Sequence, residues 1–497
     1  MAAVAVAYAG LLCGLRAANQ TPDGLSYALS VRSGLDMFHP HHLIYVPVAR
    51  LIHLATGLDP ITATLWQNLF WIVVLGMAAW RLAGLIFPDR WTPIAAAGAL
   101  LAARGVMIYT VRVETYLPAL ACLVLATELA AERPVRFWLL VPSVVLAILY
   151  HQTNVLFVLP LMVLLCHGCR GQDLYGAWRR TAAILILSAA LSAGVYLVGF
   201  KYDSPPGGFW DFVLSYARAP IEAWGSFGYF SPAGIQTLAT SQARMILPVP
   251  EQAAFLGGPV MLSVLVFLAV WHIIRLRRRA AHGSLRLFSL VLLATYLPFF
   301  LWWMPGDVDF FLATLLPVWL LVLILIDDLP ASVRSARLAA VVVLLLAAGN
   351  LVFTIWPMHR DPGPGRALAL ALDRAAPSEA DFVTGYAVQQ EMLYFTGRTR
   401  VHEGEGLSRA VLKGEKPWNT DRGPVVVDGL FLRSLLQRPD PEAEMFLRWL
   451  TGFDAGEDSC WTFRNFPRAD GLQVGPPRRT AVSWPSVEAE LKGLVQP

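Results

Sequence analysis

The segment TPDGLSYALSVRSGLDMFHPHHLIYVPVARLIHLATG, residues 21–57, brings charged groups and histidines together directly after a mostly apolar first segment. Polar side chains of this kind are costly beside hydrocarbon, because lipid offers them no hydrogen bonds. Their concentration next to an apolar segment indicates a membrane protein whose first loop has a function.

The composition of the chain predicts a polytopic α-helical membrane protein. Of its 497 residues, 56% are hydrophobic and only 15% are charged, whereas soluble proteins have about 25% charged residues. Apolar runs of roughly 17–20 residues, long enough to cross hydrocarbon as a helix, recur along the first part of the chain. The net charge of +4 is spread over loops, so no nucleic-acid partner is expected.

We predict about eleven transmembrane helices. The predicted spans are 2–18, 63–87, 93–110, 112–131, 136–150, 152–167, 181–200, 255–274, 285–303, 308–326 and 338–357. The first is interpreted as an uncleaved span rather than a signal peptide, because no basic residue precedes its apolar core.

Arginine clusters predict the orientation of these spans. They fall in alternate short loops, at 133–136, 178–180, 275–279 and 333–337. The positive-inside rule then places the N-terminus in the cytoplasm and the C-terminus outside. We expect a bacterial-type cytoplasmic (inner) membrane, with the uncommon polar groups of the other loops gathered at its outer face.

The predicted domains are a transmembrane part, residues 1–357, and a small external α/β domain, residues 358–497. In the second part LALALDRA and AEMFLRWLTGF are typical of helices, and DFVTGYAV and PVVVDGLFL are typical of strands. Two long outer loops are predicted in the first part, 19–62 and 201–254. The second has aromatic patches and prolines, which suggests a substrate-covering loop with short amphipathic helices.

The cysteines predict neither a disulfide framework nor a metal site. Four of the five lie in the membrane region. CHGC at 166–169 has a metal-like spacing, but no second pair accompanies it, so we interpret it as incidental.

The HPHH run begins a segment that we predict to be an amphipathic helix from Pro40, kinked at Pro47. At about 100° per residue, one side of that helix would carry His39, His42, Arg50 and His53. Such a helix can anchor the chain in the membrane interface or bind a phosphate or a sugar. Zinc binding by His39, His41 and His42 is disfavoured, because adjacent histidines rarely converge on one metal.

Asp23 lies in a Pro-Asp-Gly sequence just after the first span. One interpretation is structural, since this sequence is common in turns and an aspartate can cap a helix. The other is catalytic: a carboxylate at a membrane-facing cleft can accept a proton from an attacking hydroxyl.

Four further groups of polar residues flank predicted spans. Arg112, Glu114 and Tyr116 begin one of them; Arg112 either snorkels to the interface or binds a ligand, and Glu114 needs a partner or a ligand. Lys201 follows another span.

The remaining two groups also allow two interpretations each. His151 and Asn154 interrupt an apolar run, which indicates either a tight turn or a sugar-binding edge. Asp307 and Asp309 precede a span, where they can cap it and favour its helix dipole or bind a metal or sugar hydroxyls.

These motifs together resemble the GT-C superfamily of polytopic glycosyltransferases, similar to protein O-mannosyltransferases and lipid A aminoarabinose transferases. The resemblance rests on an acid after the first span, an HP-H segment, R-x-E-x-Y, H-x-T-N and WW-x-P-G-D-x-D-F-F, in that order over about 360 residues. Many members carry two acids at the start of the first loop, whereas this chain has only Asp23 beside Gly24.

The resemblance implies an inverting transfer of a sugar from a polyprenyl-phosphate donor to an acceptor hydroxyl. Asp23 would be the general base, with Asp36 a less suitable substitute. The leaving phosphate is an anion, and Arg112, Lys201, His39 and His42 are the expected partners. The acceptor would be a lipid, a glycan or a protein, the reaction would occur at the lipid bilayer, and no cofactor is assigned, with a divalent metal left open.

Two other classes of function stay open. A transporter or flippase of a lipid-linked or small polar substrate would also place polar groups in spans, although usually near mid-membrane. A non-catalytic assembly scaffold would leave Asp23 dispensable. Clustering of the polar groups at one face favours the enzyme.

Overall fold

The computed structural model describes most of the chain. It covers residues 1–132, 134–167, 174–203, 205, 207–214, 226–248, 254–277, 281–330, 336–375, 380–412, 425–436, 441–450, 459–466 and 471–479. Parts of the CHGC motif, of the loop 201–254 and of the arginine clusters expected at the cytoplasmic side lie outside these residues.

Helices dominate the first part of the chain. In order they are α1 (Ala2–Cys13), α2 (Pro22–Ser33), α3 (Tyr45–Thr56), α4 (Pro60–Gly84), α5 (Thr92–Leu101), α6 (Arg104–Val111), α7 (Tyr116–Ala131), α8 (Phe137–Tyr150), α9 (Val158–His167), α10 (Leu174–Asp203), α11 (Pro232–Ile246), α12 (Ala254–Arg277), α13 (Gly283–Trp303), α14 (Leu315–Asp328), α15 (Ala336–Asn350) and α16 (Trp356–Arg360). Short 3-10 helices precede α9 (Gln152–Phe157), α11 (Phe227–Tyr229) and α14 (Val308–Leu312), and a π-helical turn, Leu351–Ile355, precedes α16.

The helical protein is polytopic, as the composition predicts. Among the described residues, six helices are long and apolar enough to cross a membrane, or seven if α5 and α6, bent by 61°, are counted as one span. Four shorter apolar helices accompany them: Ala2–Cys13, Tyr116–Ala131, Phe137–Tyr150 and Gln152–His167. The number of eleven spans and their orientation stay predictions.

The chain forms two compact units. The first contains Met1–Ala17 and Ser30–Arg360, and the second contains Ala18–Leu29 and Asp361–Pro497. In the first, α4 packs against α1, α3, α5 and α7, and α11 packs against α12. One apolar cluster of that unit is formed by residues of α11 to α14, such as Ala239, Leu265, Leu293 and Leu321.

The second unit is an α/β structure around a five-stranded sheet. After α17 (Pro364–Ala375) its elements are β1 (Asp381–Thr384), α18 (Tyr386–Glu391) with the π-helical turn Met392–Thr396, β2 (Val401–Glu403), α19 (Gly404–Leu412), β3 (Val425–Asp428), α20 (Gly429–Leu436), α21 (Pro441–Leu450), β4 (Ser459–Phe466) and β5 (Gly471–Arg479). The strand order is β2-β1-β3-β5-β4. β1 is parallel to β2 and β3, while β5 is antiparallel to β3 and β4.

The core of this unit lies on the parallel strands. Phe382 of β1 is opposite Val401 of β2 and Val426 of β3. These side chains are buried with Ala369 and Leu372 of α17. The α/β class predicted for this part is confirmed, although the YAV of DFVTGYAV belongs to α18 rather than to the strand.

Two predicted helix starts are wrong. The helix expected from Pro40 begins at Tyr45, because the HPHH run forms turns in which the N–H groups of His42 and Tyr45 donate to the carbonyls of His39 and His42. Pro47 consequently lies in the first turn of α3, where proline has no intrahelical hydrogen bond to lose. The span expected from 112 begins at Tyr116, after a non-helical link.

Candidate functional site

The short helix α6 is held between two breaks in the chain by buried asparagines. At its start, the side-chain amide of Asn350 donates to the carbonyls of Ala102 (2.8 Å) and Ile246 (3.1 Å). At its end, the amide of Asn68 donates to the carbonyls of Tyr109 and Arg112, each at 2.9 Å. These hydrogen bonds satisfy backbone carbonyl groups to which lipid could not donate. The helical structure can therefore be interrupted at both ends of α6 inside an apolar region.

Arg104 begins α6 and lies against α11. A Cβ atom on the next residue, Gly105, would be 1.7 Å from the sulfur of Met245, so only glycine permits this close approach. The guanidinium of Arg104 then donates to the carbonyl of Arg244 (3.0 Å) and to the hydroxyl of Thr354 (3.3 Å). Among the described residues, no carboxylate lies within ion-pair distance of Arg104.

Three half-buried arginines share this region, because Arg104 is close enough to Arg112 and Arg244 to be repelled by both. The carboxylates of Glu114 and Asp309 are close enough to Arg112, in the link between α6 and α7, to attract its charge. The structure therefore brings together the predicted Arg112, Glu114 and Asp309. Sequence reasoning missed Arg104 and Arg244; an arginine within the apolar run LLAARGVMIYTV was the available signal for the first.

A group of aromatic and histidine rings adjoins the arginines. Tyr109 of α6 donates a short hydrogen bond to Asp309, and its ring centroid is 5.5 Å from that of Tyr116. Tyr116 is in turn 4.8 Å from His151 and 6.2 Å from Phe310. Three predicted site residues from distant parts of the chain thus meet at the start of α7.

The histidines of the first loop join the same group. The ring centroid of His42 is 4.9 Å from that of His151 and 4.7 Å from that of His41. Backbone bonds fix the loop there: the N–H of Gln152 donates to the carbonyl of His41 (3.0 Å), and the N–H of Ile44 donates to that of Leu149 (3.4 Å). His39 is exposed, with its ring 4.3 Å from that of His41.

Burial decides the charge of these histidines. The pKa values of His41 and His42 are lowered well below the usual range, mainly by burial and further by the neighbouring histidines. Both rings are therefore neutral near pH 7, and they can exchange hydrogen bonds with a ligand but cannot neutralise an anion. Among the described residues, no three His, Cys, Asp or Glu side chains are arranged to hold a metal ion.

The turn around His151 has mainly structural bonds. The amide of Asn154 donates to the carbonyl of Ala147, and its oxygen accepts from the hydroxyl of Tyr296, both at 2.9 Å. Nδ1 of His151 pairs with the Thr153 hydroxyl at 2.6 Å, whereas its buried Nε2 has no partner among the described residues. Asn154 therefore stabilises the tight turn, and His151 keeps one nitrogen for a ligand.

The two aspartates before α14 have different roles. Asp307 caps the 3-10 helix Val308–Leu312, since its Oδ1 accepts from the N–H of Asp309 at 3.0 Å. That is the structural alternative of the sequence analysis. Asp309 instead faces Tyr109 and is a member of the site.

Two other predicted binding residues stand apart from these contacts. Lys201 is exposed near the end of α10, while Asp203 of the same turn accepts from the N–H groups of Met37 (3.2 Å) and Phe38 (2.6 Å) and so holds the first loop. Arg50 of α3 donates to the carbonyls of Val31 and Arg32 at the end of α2. It is a helix cap rather than a member of a histidine face.

Asp23 is described within the second compact unit. Thr21 caps α2, because its hydroxyl accepts from the N–H of Gly24 at 2.9 Å, and Pro22 and Asp23 are in the first turn. The Pro-Asp-Gly sequence is therefore helical and not a turn. Thr21 rather than Asp23 is thus the helix cap. The exposed carboxylate of Asp23 instead accepts a hydrogen bond from the hydroxyl of Tyr386 at 3.1 Å.

The described architecture is similar to that of known membrane transferases. A crystal structure of ArnT from Cupriavidus metallidurans in the apo state has a TM-score of 0.57 and 12% identity, covering 96% of this chain and 98% of that chain. ArnT from the same organism bound to undecaprenyl phosphate has a TM-score of 0.52 and 14% identity, covering 87% and 93%. The chain has the fold of these ArnT structures.

Other comparisons add less. The oligosaccharyltransferase of Archaeoglobus fulgidus in the apo form has a TM-score of 0.49 and 12% identity, covering 97% of this chain and 75% of that chain. No protein-family model and no curated protein sequence matches the chain. The GT-C resemblance expected from the motifs is confirmed as a fold, and activity has to be argued from the residues.

Proposed function

We propose that this GT-C protein is a membrane glycosyltransferase that moves a sugar from a polyprenyl-phosphate donor to an acceptor hydroxyl. The observation that carries the proposal is Arg104 at the start of α6, which donates only to neutral groups among the described residues and has Arg112 and Arg244 nearby. A cation kept at membrane depth without an ion pair is costly, so a ligand anion is a natural partner of Arg104.

The arginines would bind the phosphate of the lipid donor. Guanidinium groups match phosphate oxygens with paired hydrogen bonds and stay charged when half-buried. As the bond between the sugar and the phosphate breaks, negative charge develops on the phosphate oxygen, and a cation already in place lowers the energy of that transition state. The ArnT structure with undecaprenyl phosphate supports a lipid phosphate as the ligand class.

The neutral rings beside the arginines would contact the sugar. His42 and His151 are neutral hydrogen-bonding groups, the first by the pKa effect of burial and the second with an unpartnered buried Nε2. Tyr116 and Phe310 give apolar faces of the kind on which sugar rings stack. The site proposed for the donor thus has cations for its phosphate and neutral groups for its hydroxyls.

Asp23 would be the general base. Its carboxylate is exposed and is not the helix cap, so it is accessible to an acceptor hydroxyl. Removal of the proton from an acceptor hydroxyl, with attack opposite the leaving phosphate, gives inversion at the anomeric carbon. We place the reaction at the outer face of the cytoplasmic membrane, with a lipid, glycan or protein as acceptor.

The deciding experiment is sugar transfer by purified protein from a pool of labelled polyprenyl-phosphate donors, comparing wild type with Asp23→Asn. The substitution keeps size and removes the base, so we expect a loss of about 10²–10⁴-fold with an unchanged melting temperature. Asp36→Asn is the matched control, an exposed aspartate of the same loop, and should stay active. Full activity of Asp23→Asn would exclude it as the base, and movement of lipid-linked substrate without transfer would favour a transporter.

A further inference from the structure

Tyr386 links the candidate base to the C-terminal sheet within the second compact unit, which contains both Ala18–Leu29 and Asp361–Pro497. Its hydroxyl donates to Oδ1 of Asp23 at 3.1 Å and also hydrogen-bonds the side chain of Ser26. Asp23 and Ser26 are three residues apart in α2 and therefore lie on the same face of the helix. One phenol thus contacts two successive turns of the helix that carries Asp23.

The hydroxyl of Tyr386 stays protonated and acts as the hydrogen-bond donor to Asp23. Burial raises its pKa well above the usual range, and the charge of Asp23 raises it further. The hydroxyl therefore keeps its proton at any physiological pH. In the hydrogen bond between Tyr386 and Asp23, the phenol is therefore the donor and the carboxylate is the acceptor. The oxygen that accepts is Oδ1 of Asp23.

The backbone around Tyr386 is fixed by an interior strand of the sheet. Tyr386 follows β1, the strand between β2 and β3, whose four residues are all buried. Gly385 is the N-cap of α18, and its carbonyl accepts from the N–H of Gln389 at 3.0 Å. The side chain of Gln389 then donates to the carbonyl of Val401 in β2 at 3.1 Å. A side chain that lies between an interior strand and the start of a helix has little freedom to move. It can therefore fix the position of its hydrogen-bond partner more precisely than a residue in a loop could.

We propose that Tyr386 is the positioning residue of Asp23. By holding Oδ1, it turns Oδ2 toward the acceptor hydroxyl and lets Oδ2 take the proton. The acceptor oxygen then bonds to the anomeric carbon as the bond from that carbon to the lipid phosphate breaks, and the phosphate leaves with the electron pair. This inference rests on the proposed role of Asp23 and adds to it that the C-terminal part of the chain contributes directly to catalysis. Tyr386 itself contacts neither substrate.

The expected effect of Tyr386→Phe is a fall in kcat of about 10-fold, since one hydrogen bond to a charged group is lost at a partly exposed position. KM for the lipid donor should not change, because the phosphate contacts belong to other residues. The melting temperature should also stay close to that of wild type. Tyr175→Phe removes the hydroxyl of an exposed tyrosine in α10 and is the matched control.

The decisive test is a double-mutant cycle with wild type, Tyr386→Phe, Asp23→Asn and both changes together, with long incubations to record residual transfer. A positioning residue has nothing to act on once the base is gone, so Tyr386→Phe should cost nothing further in the Asp23→Asn protein. A purely structural role would lower activity by the same factor in both backgrounds and would overturn the inference.

The remaining outcomes separate the two proposals. Wild-type kcat in Tyr386→Phe, with Asp23→Asn inactive, would overturn the role of Tyr386 and leave the base in place. Full activity of Asp23→Asn would overturn the base, and the role of Tyr386 with it.

Discussion

Two arginines of the helical unit, Arg286 and Arg104, show how differently a membrane protein can use the same side chain. Arg286 of α13 is fully buried and donates to Asp328 (2.6 Å), to Nδ1 of His272 (2.9 Å) and to the carbonyl of Ala281 (2.8 Å). Arg104 is half-buried and donates to a hydroxyl and a carbonyl, with two further arginines as its neighbours.

The network around Arg286 satisfies every member. Asp328 also accepts from Arg275 (2.9 Å) and from the indole of Trp271 (3.1 Å). Because Nδ1 of His272 accepts from Arg286, its proton must be on Nε2, which donates to the carbonyl of Leu321 at 2.9 Å. These bonds tie α12, α13 and α14 together. Arg286 is thus held by a direct ion pair and has a structural role, whereas Arg104 has hydrogen bonds to neutral groups only and is the arginine that we propose for the ligand phosphate.

The largest effect should follow from breaking the structural network. Arg286→Met leaves the buried Asp328 without its shortest partner, and we expect the free energy of unfolding to fall by about 3–5 kcal/mol. Urea unfolding in detergent would measure it. Adding Asp328→Leu should restore most of the stability, since removing both charges costs little. A double variant as unstable as Arg286→Met would contradict this assignment.

Arg104→Gln should lower activity rather than stability, in contrast to Arg286→Met. Transfer from the polyprenyl-phosphate donor should fall by about 10²-fold, as for loss of one group that stabilises a developing anion, whereas the melting temperature should change little. Arg104→Lys, which keeps the charge but not the fork of donors, should recover part of the rate. A variant that melts earlier yet transfers normally would move Arg104 to the structural class.

A third arginine, Arg50, extends the comparison because its donors go to the carbonyls that end α2. Gly34, just beyond that end, has φ +78°, and a Cβ atom there would be 2.7 Å from a guanidinium nitrogen of Arg50. Gly34→Ala should therefore destabilise the protein by about 1–2 kcal/mol, from the left-handed backbone and the displaced cap. Gly57 also has a left-handed backbone, but a Cβ atom added there would meet open space. Gly57→Ala therefore measures the cost of the left-handed backbone without that of displacing Arg50. Equal losses at both positions would exclude a contribution from Arg50.

The smallest effect concerns pH. The folded-state pKa of His42 is lowered by burial, so the unfolded chain binds more protons below its usual value of about 6.5. Stability is complete above that pH and is lost as the pH falls below it, by at most about 1.4 kcal/mol per pH unit. Melting temperatures at pH 7.0 and 5.5 would show this, and His42→Gln should reduce the difference. An unchanged pH dependence in His42→Gln would mean that other groups cause it.

Much of the fold could be predicted from the sequence, because hydropathy responds to local composition. The apolar spans and the α/β class of the C-terminal part follow from runs and alternation alone. The errors lie where a local pattern competes with distant partners. The HPHH run has a helical pattern, yet backbone bonds to the turn after α8 hold it as turns, and the break before Tyr116 depends on the amide of Asn68.

The candidate site was predictable only in part. Arg112, Glu114, Tyr116, His151 and Asp309 are conspicuous as polar residues beside apolar runs, and the structure brings them together. Arg244 lies in an ordinary amphipathic helix, and its proximity to Arg104 depends on the packing of Gly105 against Met245. Likewise Tyr386 is 363 residues from Asp23 in the chain, and no local pattern could connect them.

The discontinuity of the second compact unit has a consequence for how the protein is made. Residues 18–29 leave the ribosome more than 300 residues before the partners with which they form a compact unit, because those partners begin only at Asp361. While residues 30–360 are being synthesised, the segment with Asp23 lacks the rest of its compact unit. Synthesis of the residues that follow Asp361 is thus an assembly step for the first loop, and a chain interrupted before Asp361 would lack the partners of its candidate base.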